Sequence, residues 1–215
     1  MIICEKYLDA LRKREPELFP VAFPASNLTP TALQEIEKTI KHTFPNQYKE
    51  FLLSRQIPST TTVFISLCGK SSMFWDTFSR KQNCEVARHD VNVLVDMNWY
   101  GINGMCALDW IEELKKLVGD FYIWVDAGYI RLGDFHGEDY FVFYDLDTGK
   151  VLKIHNEDID ENEAFWEALD NNNPAAIRAA MEETATDFCE NFNTLLRLIC
   201  LGEVYDEDKM VFVTE

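Results

Sequence analysis

At 215 residues the chain has room for one core that buries roughly 70% of its unfolded surface. With 47% hydrophobic and 13% aromatic residues it is excluded from the disordered acidic proteins. Its formal charge of −17 repels nucleic-acid phosphates and anionic membranes and attracts basic surfaces.

The charge is unevenly spread. Residues 1–119 hold 14 Asp/Glu and 14 Lys/Arg, whereas residues 120–215 hold 23 and 6, a deficit equal to the whole net charge. The six cysteines, Cys4, Cys68, Cys84, Cys106, Cys189 and Cys200, form no C-x-x-C pair. No apolar run approaches the ~18 residues of a membrane span. No secretory signal precedes Glu5 and Lys6, so free thiols in a reducing cytoplasm are expected.

In chain order, Tyr7, Leu8 and Leu11 predict an amphipathic helix over 5–14. Pro16, Pro20 and Pro24 predict a surface loop to Asn27. Thr29-Pro30 is an N-cap followed by proline, opening a helix with Leu33, Ile36 and Ile40 on its apolar face, and Pro45 opens a second with Tyr48, Phe51 and Leu52. Strand composition at Thr60–Leu67 and alternation at Val91, Val93 and Val95 stand out in a stretch otherwise left unassigned. Asp109 with Glu112 forms a capping box for a helix ending at Gly119. FYIWV, YIRL, YFVFY and KVLKI then read as a four-strand meander between Asp120 and His155, broken by Gly/Asp turns at 126–128, 134–139 and 146–149. Residues 157–170 combine seven carboxylates with Phe165, Trp166 and Leu169. Asn173-Pro174 starts a last helix that runs on through Thr184–Thr186 or kinks there, with Phe188, Phe192, Leu195, Leu196 and Ile199 as its stripe. The pattern predicts an α+β protein, a mainly antiparallel sheet flanked by helices in a single domain over 1–215, with a possible insertion at 57–107.

Three blocks stand out: Leu33-x-x-Ile36-Glu37 with Phe44-Pro45-x-x-Tyr48-Lys49-x-Phe51-Leu52; Leu132-Gly133-Asp134, Gly137-x-Asp139-Tyr140 and Tyr144-Asp145 with Thr148-Gly149-Lys150-Val151; and Ala185–Leu196. They resemble, in turn, the opening helices, the Gly/Asp-rich hairpins and the closing helix of the SUKH superfamily. The blocks occur in the family's order, although Leu53-Ser54 stands where the family carries Asn-Gly. The resemblance implies an α+β fold and a binding role: many bacterial members are immunity proteins that neutralise polymorphic toxins, often nucleases, and a fungal relative regulates cell-wall assembly through protein contacts.

Catalytic and metal signatures are weak. His42, His89, His136 and His155 lie on separate elements, without the spacing of a zinc site. Asp145-x-Asp147-x-Gly149 and Asp158-x-Asp160-x-Asn162 have Asn156 and Leu169 where a calcium loop needs Glu. His155-Asn156-Glu157 lacks the Pro-Cys-x-x-Cys that deaminase chemistry requires. Glu37 reads as an i,i+4 partner of Lys41, and Tyr48 as core. No cofactor, metal or catalytic residue is expected.

A basic partner, such as a nuclease toxin with a phosphate-binding groove, would be met by carboxylates. Asp134, Glu138, Asp139, Asp145, Asp147, Asp158, Asp160 and Glu161 are the expected contacts. The alternative is a regulatory or scaffold protein of the same fold with no toxin partner, and a more distant one an enzyme using the meander's acids.

Overall fold

The computed structural model describes residues 3–14, 16, 21–26, 28–55, 61–68, 93–99, 123–135, 139–201, 204–206 and 211–213. The first three helices are α1 (Ile3–Arg14), α2 (Pro30–Ile40) and α3 (Asn46–Ser54), followed by strands β1 (Thr61–Cys68) and β2 (Val93–Trp99). A helical turn α4 (Ile123–Asp126) leads into β3 (Tyr129–Phe135), β4 (Tyr140–Asp145) and β5 (Val151–His155). Helices α5 (Asn156–Asp160), α6 (Glu163–Asp170) and α7 (Pro174–Thr184) come next. Strand β6 (Thr186–Cys189), helix α8 (Phe192–Leu201) and strands β7 (Val204–Asp206) and β8 (Val211–Val213) complete the order.

The strands form one eight-stranded sheet in the order β6-β5-β4-β3-β2-β1-β7-β8. Every pairing is antiparallel except β1 with β7, where Leu67 faces Tyr205 and Cys68 faces Asp206. The architecture is therefore α+β with a mainly antiparallel sheet and helices packed on it.

Helix starts follow their residue chemistry. The Thr29 hydroxyl accepts the Ala32 N–H at 3.1 Å, and Asn173 Oδ1 accepts the Ala176 N–H at 3.2 Å, each with proline in the first turn. At α3, Pro45 is the N-cap residue and has no side-chain bond to give. Glu37 instead fixes the chain entering the helix: Oε1 accepts the Phe44 N–H at 2.6 Å and pairs with Lys49 Nζ at 2.8 Å. The carboxylate thus ties α2 to α3, where an i,i+4 contact with Lys41 was expected.

β4 shows how the sheet is covered. Successive strand residues point to opposite faces, yet Val142, Phe143, Tyr144 and Asp145 are all buried. On one face Phe143 lies 5.1 Å from Trp124 of α4 and 6.4 Å from Tyr129, and Trp124 in turn lies 5.6 Å from Phe165 of α6. On the other face Tyr144 lies 5.1 Å from Tyr48 of α3 and 5.5 Å from Phe192 of α8. Burial, and then the neighbouring Tyr144, raises the Tyr48 hydroxyl above its ordinary pKa; for Tyr144 burial and then Asp145 do the same. Helix α1 packs against α8 and α3, placing Leu8 and Leu11 in the core.

Two expected elements differ. Of the FYIWV run expected as the first strand of a meander, Ile123, Trp124 and Val125 belong to the helical turn Ile123–Asp126, and all three are buried. Burial on every side removes the polar-apolar alternation or helical stripe that would distinguish strand from helix. The closing helix does not begin at Ala185 either. That residue is extended at φ −71° and ψ 147°, Thr186–Cys189 joins the sheet edge beside β5, and a new helix starts at Phe192. The capping-box helix from Asp109, together with His89, His136 and Glu138, lies outside the described residues.

Candidate functional site

The hairpin between β4 and β5 turns on Asp145, whose Oδ1 accepts the Asp147 N–H at 2.9 Å and the Thr148 N–H at 3.3 Å. This is the side-chain-closed turn that aspartate makes with the backbone two and three residues on. Gly149, at φ +73°, completes it. Asp145 also faces Tyr129 in the β3–β4 register.

Arg178 of α7 covers that cross-strand pair. It donates to Asp145 Oδ1 and Oδ2 at 3.0 Å each, to Asp147 Oδ2 at 3.0 Å and to Glu182 Oε1 at 3.0 Å. Its guanidinium sits 4.8 Å from the Tyr129 ring centre. Burial works against its charge, but hydrogen bonds to Glu182 and Asp145 outweigh burial and raise the pKa above the ordinary arginine value. Burial pushes the Tyr129 hydroxyl up to about 12, with Arg178 opposing and the nearby carboxylates adding to the shift. Gly128 is part of this packing: at φ +88°, a Cβ there would lie 3.2 Å from Arg178 NH1 and 3.3 Å from His42 Cε1.

The same interior fate befalls Asp134. A bulge between Arg131 and Gly133 inserts one residue into β3, which brings Arg131 and Asp134 to the same face. Arg131 bonds the Asp134 carboxylate and lies 4.1 Å over the Phe141 ring. Asp134 and Asp145 are 3% and 4% exposed. Both were expected to meet a partner; in the structure both are buried and paired with internal arginines. Reversing Asp145 to lysine would therefore report on folding rather than on binding.

The other expected contacts divide. Asp147 is exposed but held by Arg178. Asp139 is half-buried at the entry to β4, where its carbonyl accepts the Asn156 N–H at 2.9 Å. Asp158, Asp160 and Glu161 are exposed, and among the described residues none of them has an ion-pair partner.

Around these three lie acids that the turn-based reading did not select. Residues 156–190 contain eleven Asp/Glu and a single basic residue, Arg178, which turns inward. Asp187 is compensated by Lys150 at 2.7 Å, a contact that raises the lysine pKa. Glu163, Glu167, Asp170 and Glu183 are exposed and, among the described residues, unpaired. Local helix chemistry accounts for Glu157, Asp158 and Glu163, which sit in first turns where the helix dipole favours negative charge. It does not account for Glu167 and Asp170 at the end of α6, or for Glu183 at the end of α7, where only Glu182 has an i,i+4 partner in Arg178. There the dipole disfavours a carboxylate by about 0.3–1 kcal/mol, and neither last turn contains a basic residue. Packing of α5 on α6 and of α6 on α7 gathers these charges on adjoining helices, and Trp166 is 40% exposed among them.

The remaining sequence motifs make local contacts. His155 ends β5, and its Nδ1 accepts the Glu157 N–H at 3.2 Å. Asn162 caps α6 through the Ala164 N–H at 2.9 Å. Cys189 and Cys200 are buried thiols, and burial raises Cys189 well above the ordinary range. Among the described residues no His/Cys/Asp/Glu group is arranged to hold a metal, and no helix is long and apolar enough to cross a membrane.

Fold and site thus define an α+β protein with a half-buried arginine clamp on a buried aspartate and an acidic group of helices. In comparisons with known proteins, no protein-family model, curated protein or solved structure matches the chain.

Proposed function

We propose that this chain is a non-catalytic protein-binding module of SUKH-like character, an immunity-type inhibitor whose α5–α7 side receives a basic partner such as a nuclease toxin. The observation that carries the reading is the set of uncompensated carboxylates at Asp158, Asp160, Glu161, Glu163, Glu167, Asp170 and Glu183. Several stand in last turns, where they work against their own helices. Such a field speeds encounter with a cationic surface and selects against other acidic proteins. Exposed Trp166 adds the kind of aromatic contact that anchors interfaces.

The test is affinity capture from native cell extract at low and moderate salt, using the wild-type chain and a variant with Asp158, Asp160, Glu161 and Glu163 changed to their amides. The expected result is one basic protein, retained less as salt rises and lost with the variant, whose activity then falls on titration with the wild-type chain. Recovery of the same proteins by both baits would remove this side from the interface. A basic partner with no activity to inhibit would favour the regulatory reading.

A further inference from the structure

Helices α6 and α7 line an open cleft of about 340 Å³. That is at the small end of the roughly 300–1,000 Å³ typical of ligand sites, the scale of a side chain rather than of a helix about 10 Å across. The cleft exists because the facing residues are short: Ala164 and Ala168 from α6, and Ala176, Ala179 and Ala180 from α7. Its polar lining is of two kinds. Asn171 and Asn173 are occupied, Asn171 donating to the Glu167 carbonyl at 2.8 Å and Asn173 accepting the Ala176 N–H at 3.2 Å. Glu167 and Glu183 enter from opposite helices, and among the described residues neither meets a cation. Each also stands in the last turn of its helix, where a positive charge would relieve both the carboxylate and the helix end.

We propose that this cleft takes an arginine side chain from the basic protein partner, an inference that rests on the protein-binding reading above. The alanine methyls accept the methylene stem, as long cationic side chains lay their stems along apolar surface. The planar guanidinium, with donors on more than one edge, reaches Glu167 and Glu183 together, whereas a lysine ammonium would act on them as a point charge. The carboxylates supply charge complementarity, and the small residues supply the space.

The test uses the full chain and a fluorescein-labelled Gly/Ser peptide carrying two arginines, with lysine and citrulline versions, read by fluorescence anisotropy at low salt. The arginine peptide binds and the neutral citrulline peptide does not. Glu167→Gln with Glu183→Gln weakens arginine-peptide binding by about tenfold or more. Glu157→Gln with Glu190→Gln, the same change of charge at exposed acids outside the cleft, weakens it by less than about threefold. Ala179→Leu fills the cleft without altering charge, and it too weakens binding. Equal losses from the two neutralised pairs would overturn the cleft and leave the acidic-side reading standing. Arginine-peptide binding no tighter than that of the citrulline peptide would overturn both. Spermidine bound as tightly as the peptide, and lost with the same two Gln substitutions, would overturn a protein occupant.

Discussion

Arg178 is the most consequential side chain described. Replacing it with methionine preserves most of the stem and removes the charge. The carboxylate left behind on Asp145 is 4% exposed, and breaking a buried pair from one side costs about 3–5 kcal/mol. Asp145 would keep the turn amides of Asp147 and Thr148, which places the loss near the lower end, about 3 kcal/mol. The arms to Asp147 and Glu182, whose side chains are 58% and 63% exposed, add little. In urea, with a slope of about 2–3 kcal/mol/M, the midpoint should fall by about 1–1.5 M, read through fluorescence of buried Trp124. Asp145→Asn keeps an acceptor for the turn and discharges the site, so the double variant should be more stable than the two single losses predict by about 1–3 kcal/mol. A loss under about 1 kcal/mol for Arg178→Met, or strict additivity, would refute the clamp.

Two further outcomes follow from the same region. Gly128→Ala should cost more than Gly149→Ala: both have positive φ, but a Cβ at 128 meets Arg178 and His42 at 3.2 and 3.3 Å, whereas at 149 nothing lies nearer than 4.0 Å. The strain term is about 1–3 kcal/mol at each, and only Gly128→Ala should also disturb the arginine; equal midpoints would contradict the packing. Stability should also fall on the alkaline side. The Tyr129 hydroxyl is raised to about 12 in the fold against about 10 unfolded. Its contribution is therefore complete below pH 10 and is lost progressively as pH rises towards 12, with Tyr48 and Tyr144 adding in the same sense. Tyr129→Phe should flatten that decline in urea titrations from pH 9 to 11.5; an unchanged slope would assign the decline elsewhere.

The sequence was most legible where chemistry is local. Thr29-Pro30 and Asn173-Pro174 announce their helices because an N-cap acceptor and a fixed φ act within one turn. The strands β3 to β5 are visible because Gly and Asp punctuate them. Ile123–Asp126 was misread because aromatic and β-branched composition says strand while complete burial erases periodicity. Phe188 was misread for the converse reason: it falls on the helical spacing of Phe192 and Leu195 yet reaches the core from a strand. Asp145 looked like a surface turn residue because its arginine lies 33 positions away. The available signal was compositional: a lone base among eleven acids has more to gain inside than outside.

The contact of α1 with α8 has a consequence for the order in which the protein can be made. The two helices are separated by roughly 180 residues, about 10–35 s of synthesis at ~5–20 residues per second. Until Phe192 and the residues after it leave the ribosome, Leu8 and Leu11 have α3 but not α8 to cover them. The parallel β1–β7 pairing waits still longer, for Tyr205 and Asp206. The apolar stripe of α1 is therefore only partly covered until α8 has been made, so its burial is among the last steps of folding.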